Sequence, residues 1–256
     1  MSSSVAVVIP SCDKYSDLWE AFFATLQLRW SDCPYPLFLV TNEINFKREN
    51  VSVIRIGEDR TWSANLAAAL LLIPHDYVLL IMDDLFLKSR INEERVASLI
   101  DKCVSQEWDY LRLNPTPGPS RPGNANDGVG PIVKGDWYRS STVMSLWRKE
   151  VLLDVLNPKE NAWEFEIFGS DRTDKYQRWF ASVDWNLPFH NVVIKGKLDP
   201  FALWELRSEN IDIATHREVM GILDASILVL KRFRSKLMLL VPRAARRKIR
   251  SKFAPN

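Results

Sequence analysis

The sequence predicts an α/β fold, a single domain on a mostly parallel central sheet spanning residues 1–224, followed by a basic amphipathic helical tail over residues 225–256. Three observations predict it. Apolar strand-like runs alternate with helical periodicities through the first 85 residues. The runs are continuously apolar rather than alternating, as in strands covered on both faces. Ten Lys or Arg fall between Lys231 and Lys252, and no acid follows Asp224.

The elements follow in order. Val5-Ala-Val-Val-Ile9 is a β-branched run closed by Pro10-Ser11, a buried strand ending in a loop. Over residues 17–30, Leu18, Phe22, Leu26 and Trp30 recur every fourth position and form one stripe of a helix. Leu37-Phe-Leu-Val40 is a second strand, ending at Thr41-Asn42-Glu43, and residues 51–56 are a third. Residues 62–72 are an Ala/Leu-rich helix, with Thr61 or Ser63 available as its cap. A strand over residues 77–82 leads into Asp83-Asp84. Beyond it lie a helix at 92–106, a short strand at 110–113 and an irregular stretch rich in Pro, Gly and Asn at 114–135. Next come a strand at 141–147, helices at 149–156 and 162–177, and a last strand at 191–194. An irregular stretch of that length reads as a lid, a binding loop or disorder; as a lid it would bring Arg112, Arg121 and Lys134, in or beside it, to phosphates.

Composition narrows the function classes. With 256 residues, 46% apolar and 26% charged, the chain has the make-up of an ordinary globular protein with a sizeable core. Its ten Trp suit both core packing and sugar platforms. Cys12, Cys33 and Cys103 are odd in number, widely spaced and without a CxxC pattern. Zinc and a disulfide framework are therefore not expected, and a reducing cytoplasm fits. Residues 1–4 run into the first strand without a basic segment, so a secretory signal is not expected. No apolar stretch reaches the roughly 18 residues of a membrane span; the longest, residues 66–82, is broken by Pro74, His75 and Asp76.

Setting the ten tail bases aside leaves 24 Lys and Arg against 32 Asp and Glu, a net charge of −8 for the rest of the chain. The tail interleaves apolar residues 227–241 with Lys231, Arg232, Arg234 and Lys236. Such a pattern predicts contact with an anionic membrane surface. Its apolar richness and the acidic body argue against nucleic acid.

In a parallel sheet, ligands gather at the carboxyl ends of the strands. The polar groups there are Ser11, Cys12 and Asp13, then Thr41, Asn42 and Glu43, then Asp83 and Asp84. Two adjacent carboxylates closing a buried strand repel each other and are costly to desolvate. Mg²⁺ or Mn²⁺, held by one or two carboxylates with phosphate oxygens, removes that cost. On these grounds alone the pair also fits a solvated turn or a helix cap.

The segment preceding the pair shifts the balance toward a site. Arg60-Thr-Trp-Ser-Ala-Asn65, an Ala/Leu helix and then His75-Asp-Tyr-Val-Leu-Leu-Ile-Met-Asp-Asp84 resemble a stretch of the GT-A glycosyltransferases. The similarity is closest to the inverting, family-2 type of enzyme that builds bacterial lipopolysaccharide and capsule. Ile9-Pro-Ser-Cys-Asp13 resembles that family's first nucleotide-contacting loop, while Trp147-Arg-Lys-Glu150 and Trp163-Glu-Phe-Glu166 look like its acceptor-side half. The resemblance runs over residues 5–200, most closely over 5–90.

The resemblance implies a Rossmann-type GT-A domain with a nucleotide-binding half at 1–110 and an acceptor-binding half at 111–224. Its donor would be a nucleoside-diphosphate sugar, its acceptor a glycan or lipid-linked glycan, and its place the inner face of the cytoplasmic membrane. Carried over, Pro10, Ser11 and Asp13 border the nucleotide, Asn42 and Glu43 lie near the base or ribose, and Arg60 and Asn65 approach the diphosphate or sugar. The family's metal motif is usually Asp-x-Asp, and Met82 stands where its first acid would be. Asp84 is therefore assigned as the metal ligand and Asp83 as a contact to ribose or a metal-bound water.

Inverting transfer needs a base on the acceptor side. Glu164, Glu166 and Asp171 are the candidates. Glu164 and Glu166 point about 200° apart on a helix, so they do not both face one site. Glu166 shares a side with Trp163 and is assigned the role, with Glu164 second. A sugar nucleotidyltransferase would show a Gly-rich loop after its first strand, and residues 10–14 contain no Gly. A non-catalytic scaffold that keeps the fold is the remaining alternative, favoured by the incomplete acidic motif.

Overall fold

The computed structural model describes residues 4–123, 128–221 and 224. The predicted tail, residues 225–256, lies outside the described residues. An eight-stranded sheet carries the fold. Its first half is parallel: β3 (Val51–Arg55), β2 (Leu37–Thr41), β1 (Val5–Pro10) and β4 (Tyr77–Leu80) lie side by side in that order. β8 (Ser145–Arg148) then runs against β4, pairing Leu80 with Ser145. Beyond it, β6 (Tyr110–Arg112) and β9 (Trp179–Ser182) return to the direction of β4, and β7 (Val129–Pro131) closes the edge antiparallel. The sheet is thus mostly parallel.

The pleat divides β1 between two cores, because successive side chains point to opposite faces. Val5, Val7 and Ile9 face a core with α1 (Ser16–Arg29) and α3 (Glu93–Ser105). Ala6 and Val8 face the other, with α2 (Trp62–Leu70), α4 (Lys149–Val155) and α5 (Ala162–Arg172). Trp19, Trp30, Trp147 and Trp179 are fully buried, so part of the Trp excess is core.

Helix starts follow their sequence signals. Thr61 Oγ1 accepts the Ala64 N–H at 3.1 Å and Asn92 Oδ1 accepts that of Arg95 at 3.0 Å. α6 (Pro200–Ser208) was not expected, although Asp199 caps it and Pro200 occupies its first turn. Three short pairings were not expected either: β5 (Leu85–Leu87) with β10 (Phe189–Asn191), β11 (Val193–Ile194) with β12 (Lys197–Leu198), and β7 with β9.

Two boundaries depart from expectation. The helix predicted to reach residue 177 ends at Arg172 and tightens into a 3₁₀ turn over Thr173–Lys175 before β9 begins. The strand predicted from residue 141 starts at Ser145, leaving 141–144 as a loop at the carboxyl edge of β4.

Candidate active site

A cleft of about 240 Å³ opens at the carboxyl ends of β1, β2 and β4. Its walls combine Pro10 and Ser11 after β1, Val40 of β2, Asn65 on α2, and Asp83 and Asp84 after β4, with Tyr15 and Trp62 at its sides. The parallel half-sheet therefore brings five of the predicted residues, Pro10, Ser11, Asn65, Asp83 and Asp84, into one cavity.

Asp83 is the buried member of the acidic pair, 5% exposed. Its carboxylate accepts the Ser11 hydroxyl proton, and Ser11 Oγ in turn accepts the Trp19 indole N–H at 2.8 Å. Burial, and then the neighbouring charge of Asp84, pushes the Asp83 carboxyl up to about 8. Burial pushes Asp84 up to about 6. Tyr15 is also raised, first by burial and then by the charges of Asp84 and Asp83. Burial thus disfavours ionisation of the pair, and a bound cation would favour it.

Asp13 and Asn42 stand behind the cleft and lock β1 to β2. The Asp13 carboxylate accepts the backbone N–H groups of Asn42 and Glu43 at 3.0 Å and of Ile44 at 3.2 Å, while Asn42 Oδ1 accepts the Asp13 N–H at 3.0 Å. Asn42 is 6% exposed and its Nδ2 is a buried donor without a partner among the described residues. Glu43 is exposed and enters this network through its backbone alone.

Asn65 bridges the loop before α2, donating to Asp59 Oδ1 at 2.9 Å and accepting the Arg60 N–H at 3.2 Å. Arg60 itself is exposed and is not among the lining residues. The Trp62 ring leans on Phe165 of α5 at 5.6 Å, and its Nε1 is a second buried donor without a partner among the described residues.

The acceptor-side candidates separate. Glu164 accepts the Asn161 N–H at 2.9 Å while Asn161 Oδ1 accepts the Glu164 N–H, a reciprocal cap that occupies this carboxylate at the start of α5. Glu164 is thus bonded through Oε2 as part of the cap of α5. Asp171 is exposed, five residues beyond Glu166 and so about 140° around the helix from it. Glu166 Oε1 accepts the Ser141 hydroxyl at 2.9 Å, the Thr142 N–H at 2.6 Å and the Thr142 hydroxyl at 2.9 Å. β8 runs opposite to β4, so the loop before β8 and the acids after β4 share one edge of the sheet. Glu166 is held on that edge. Trp163 stands 64% exposed on α5.

One further expectation changes. Arg112 is fully buried, donating to the carbonyls of Pro117 at 2.6 Å and Tyr138 and from Nε to the Tyr110 hydroxyl at 3.1 Å; it organises the loops beside β6 and is not placed to meet a phosphate. His190 bonds to Glu205 at 2.7 Å and joins β10 to α6. Among the described residues, no group of three or more His, Cys, Asp or Glu is arranged to hold a metal ion. Asp83 and Asp84 nonetheless supply hard oxygen donors that suit Mg²⁺ or Mn²⁺ when phosphate oxygens complete the set.

No protein-family model and no curated protein matches the chain. Solved structures do. Residues 1–349 of TarS from S. aureus, in complex with UDP-GlcNAc, superpose with a TM-score of 0.50 at 14% identity over 72% of this chain and 57% of that one. The mannosyltransferase PcManGT from Pyrobaculum calidifontis, in complex with GDP-Man and Mn²⁺, gives 0.50 at 12% identity over 77% and 59%. The chain shares their fold. It spans less than two thirds of either protein's length. A cytidylyltransferase from Leptospira borgpetersenii is also similar, at a TM-score of 0.48 and 12% identity over 86% of this chain and all of that one.

Among the described residues, no helix is long and apolar enough to cross a membrane.

Proposed function

We propose that this chain is a glycosyltransferase that moves a sugar, with inversion, from a nucleoside-diphosphate donor to a hydroxyl of a lipid-linked glycan in bacterial surface-polysaccharide synthesis. The observation that carries the reading is the Asp83-Asp84 pair, closing a central parallel strand inside the cleft with both carboxyls raised by burial. The fold shared with two sugar-nucleotide transferases supports it.

In this reading the nucleotide lies across the ends of β1 and β2. Asn42 Nδ2, two residues beyond the lining Val40, meets the base or ribose, held in place by Asp13. Asp84 would hold Mg²⁺ or Mn²⁺, with Asp83 contacting ribose or a metal-bound water, and such an ion would stabilise the negative charge of the diphosphate leaving group. The N-terminus of α2, with Trp62 and Asn65 on the cleft wall, adds partial positive charge where phosphates would sit.

On the acceptor side, Glu166 takes the proton of the attacking hydroxyl. Three donors fix Oε1 from one side, so Oε2 is the atom left to receive it. Trp163, exposed on the same helix, offers a face for a sugar ring. For the membrane, the ten tail bases supply attraction to anionic lipid. Phe201 and Trp204, one turn apart on α6 and 75% and 72% exposed, supply apolar groups for the interface on the body itself. Both features suit a peripheral protein working at the inner face of the cytoplasmic membrane.

Isothermal titration with UDP-, GDP-, dTDP- and CMP-sugars, with and without Mn²⁺, tests the reading. One donor should bind, with Mn²⁺ tightening it. No binding of any nucleotide sinks the enzyme reading, and binding without turnover on any lipid-linked acceptor favours a scaffold.

A further inference from the structure

The cleft has an electrostatic problem. Among the described residues its lining includes three acids, Asp59, Asp83 and Asp84, and no Lys or Arg. Beyond the N-terminus of α2 and a divalent ion, a diphosphate entering it depends on cations standing close behind the walls. Among the described residues, the side chains of two cations touch the lining residues. Lys14 pairs with Asp59 at 3.4 Å, but its side chain is 81% exposed and its charge is screened by solvent. Arg217 is the other, and its side chain is 13% exposed.

Arg217 arrives from the far end of the described chain. After α6, residues 210–221 turn back across the start of α1, with Ile211 and Met220 buried on either side of Arg217. Leu198 and Met220 are joined by a 2.9 Å backbone bond, and Leu198 also donates to the Glu218 carbonyl at 2.9 Å, which fixes the strap's exit. The guanidinium lies 4.4 Å over the ring of Tyr15, a wall of the cleft. It donates from Nε to Asp17 Oδ2 at 2.7 Å, and from Nη2 to Asp17 Oδ1 at 2.9 Å and the Lys14 carbonyl at 2.8 Å. These bonds use Nε and Nη2, so among the described residues the Nη1 protons are left for another acceptor.

Taking the nucleotide reading above as its basis, we propose that Arg217 is a diphosphate-binding residue of the cleft, delivered by the strap of residues 210–221 and aimed by Tyr15 and Asp17. Asp17 and the Tyr15 ring hold the guanidinium flat against the wall, so little side-chain freedom is lost when a phosphate oxygen binds. The planar, permanently charged group complements two carboxylates that can accept only one divalent cation between them. The field of Arg217 also reaches the acidic pair, drawing both Asp83 and Asp84 downward against the larger effect of burial. Donor binding would thus depend on a segment about two hundred residues from the first strand.

The test compares the full chain with Arg217→Gln, Arg217→Lys and Asp17→Asn, titrating Mn²⁺ with UDP and GDP against uridine and guanosine. Arg217→Gln should weaken whichever nucleoside diphosphate binds by at least about tenfold, with the nucleoside within about twofold, and Arg217→Lys should recover part of the loss. Asp17→Asn keeps the guanidinium and one of its two acceptors, so diphosphate affinity should fall clearly less than in Arg217→Gln. A mere staple predicts otherwise: Arg217→Gln and Asp17→Asn would fall together, and nucleoside would fall as far as diphosphate. That pattern, or unchanged diphosphate affinity in Arg217→Gln, overturns the proposal while leaving the nucleotide reading intact. A wild-type chain that binds neither nucleotide nor nucleoside overturns the reading beneath it.

Discussion

Asp13 and Asn42 are bonded in both directions: the Asp13 carboxylate accepts the Asn42 N–H at 3.0 Å, and Asn42 Oδ1 accepts the Asp13 N–H at 3.0 Å. The ends of β1 and β2 are thereby held at a fixed separation, and Asn42 Nδ2, without a partner among the described residues, is aimed by the same contact. Asp13→Ala strands the N–H groups of Asn42, Glu43 and Ile44 and should cost on the order of 2 kcal/mol, with a Tm lower by roughly 5 °C. Nucleotide affinity should fall with it. Thermal unfolding of the two proteins, followed by titration of each, checks both effects.

The acidic pair makes stability depend on pH with a definite sign. Asp83 and Asp84 titrate in the folded chain at about 8 and about 6, above the usual carboxylate value. The folded state therefore binds protons that the unfolded state has released, and stability falls as pH rises from about 4 through 8. Asp83→Asn with Asp84→Asn removes this slope. The double variant should unfold at a higher temperature than wild type at pH 8.5 and at nearly the same temperature at pH 4. Melting curves without added metal across that range read it directly.

Mn²⁺ should reverse the sign of the effect at the pair. It competes with protons for both carboxylates, so the Tm gained on adding Mn²⁺ with nucleotide should grow between pH 5.5 and 8.5. A gain independent of pH would place the ion elsewhere.

Glu166→Gln isolates the acceptor-side base. A Gln Oε1 can still accept from Ser141 and Thr142, so the loop before β8 should keep its place. Loss of the base should lower kcat by about 10²- to 10⁴-fold while donor KM stays within about twofold. A parallel loss of donor affinity would instead mark Glu166 as part of the donor site.

Arg112→Met should act on stability alone. It leaves the carbonyls of Pro117 and Tyr138 and the Tyr110 hydroxyl short of a buried donor, at a cost of about 3 kcal/mol or more. Chemical denaturation should register that loss, and the folded fraction should bind nucleotide as wild type does.

The parallel half-sheet was legible because each of its strands is an apolar run closed by its own polar residues, as at Pro10-Ser11 and Asp83-Asp84. So was the site, to the extent that a parallel sheet collects its strand ends on one edge. β5, β7 and β10 were not legible, since each is three residues long and exists through a partner distant in sequence. α6 and the cap at Glu164 carry readable local signals: Asp199-Pro200 before an apolar run, and Asn161 three residues ahead of Glu164. Arg217 had none. Its place depends on the return of residues 210–221 across α1, which no local pattern announces.

The most direct test of the central claim is calorimetric titration of UDP and GDP into wild type and Asp84→Ala at pH 8, each with and without Mn²⁺. Mn²⁺ should tighten nucleoside-diphosphate binding to wild type by at least about tenfold, and Asp84→Ala, folded and no less heat-stable than wild type, should lose that gain. Nucleotide that binds Asp84→Ala as it binds wild type, or binds neither protein, would contradict the assignment of Asp83-Asp84 as the centre of a sugar-nucleotide site.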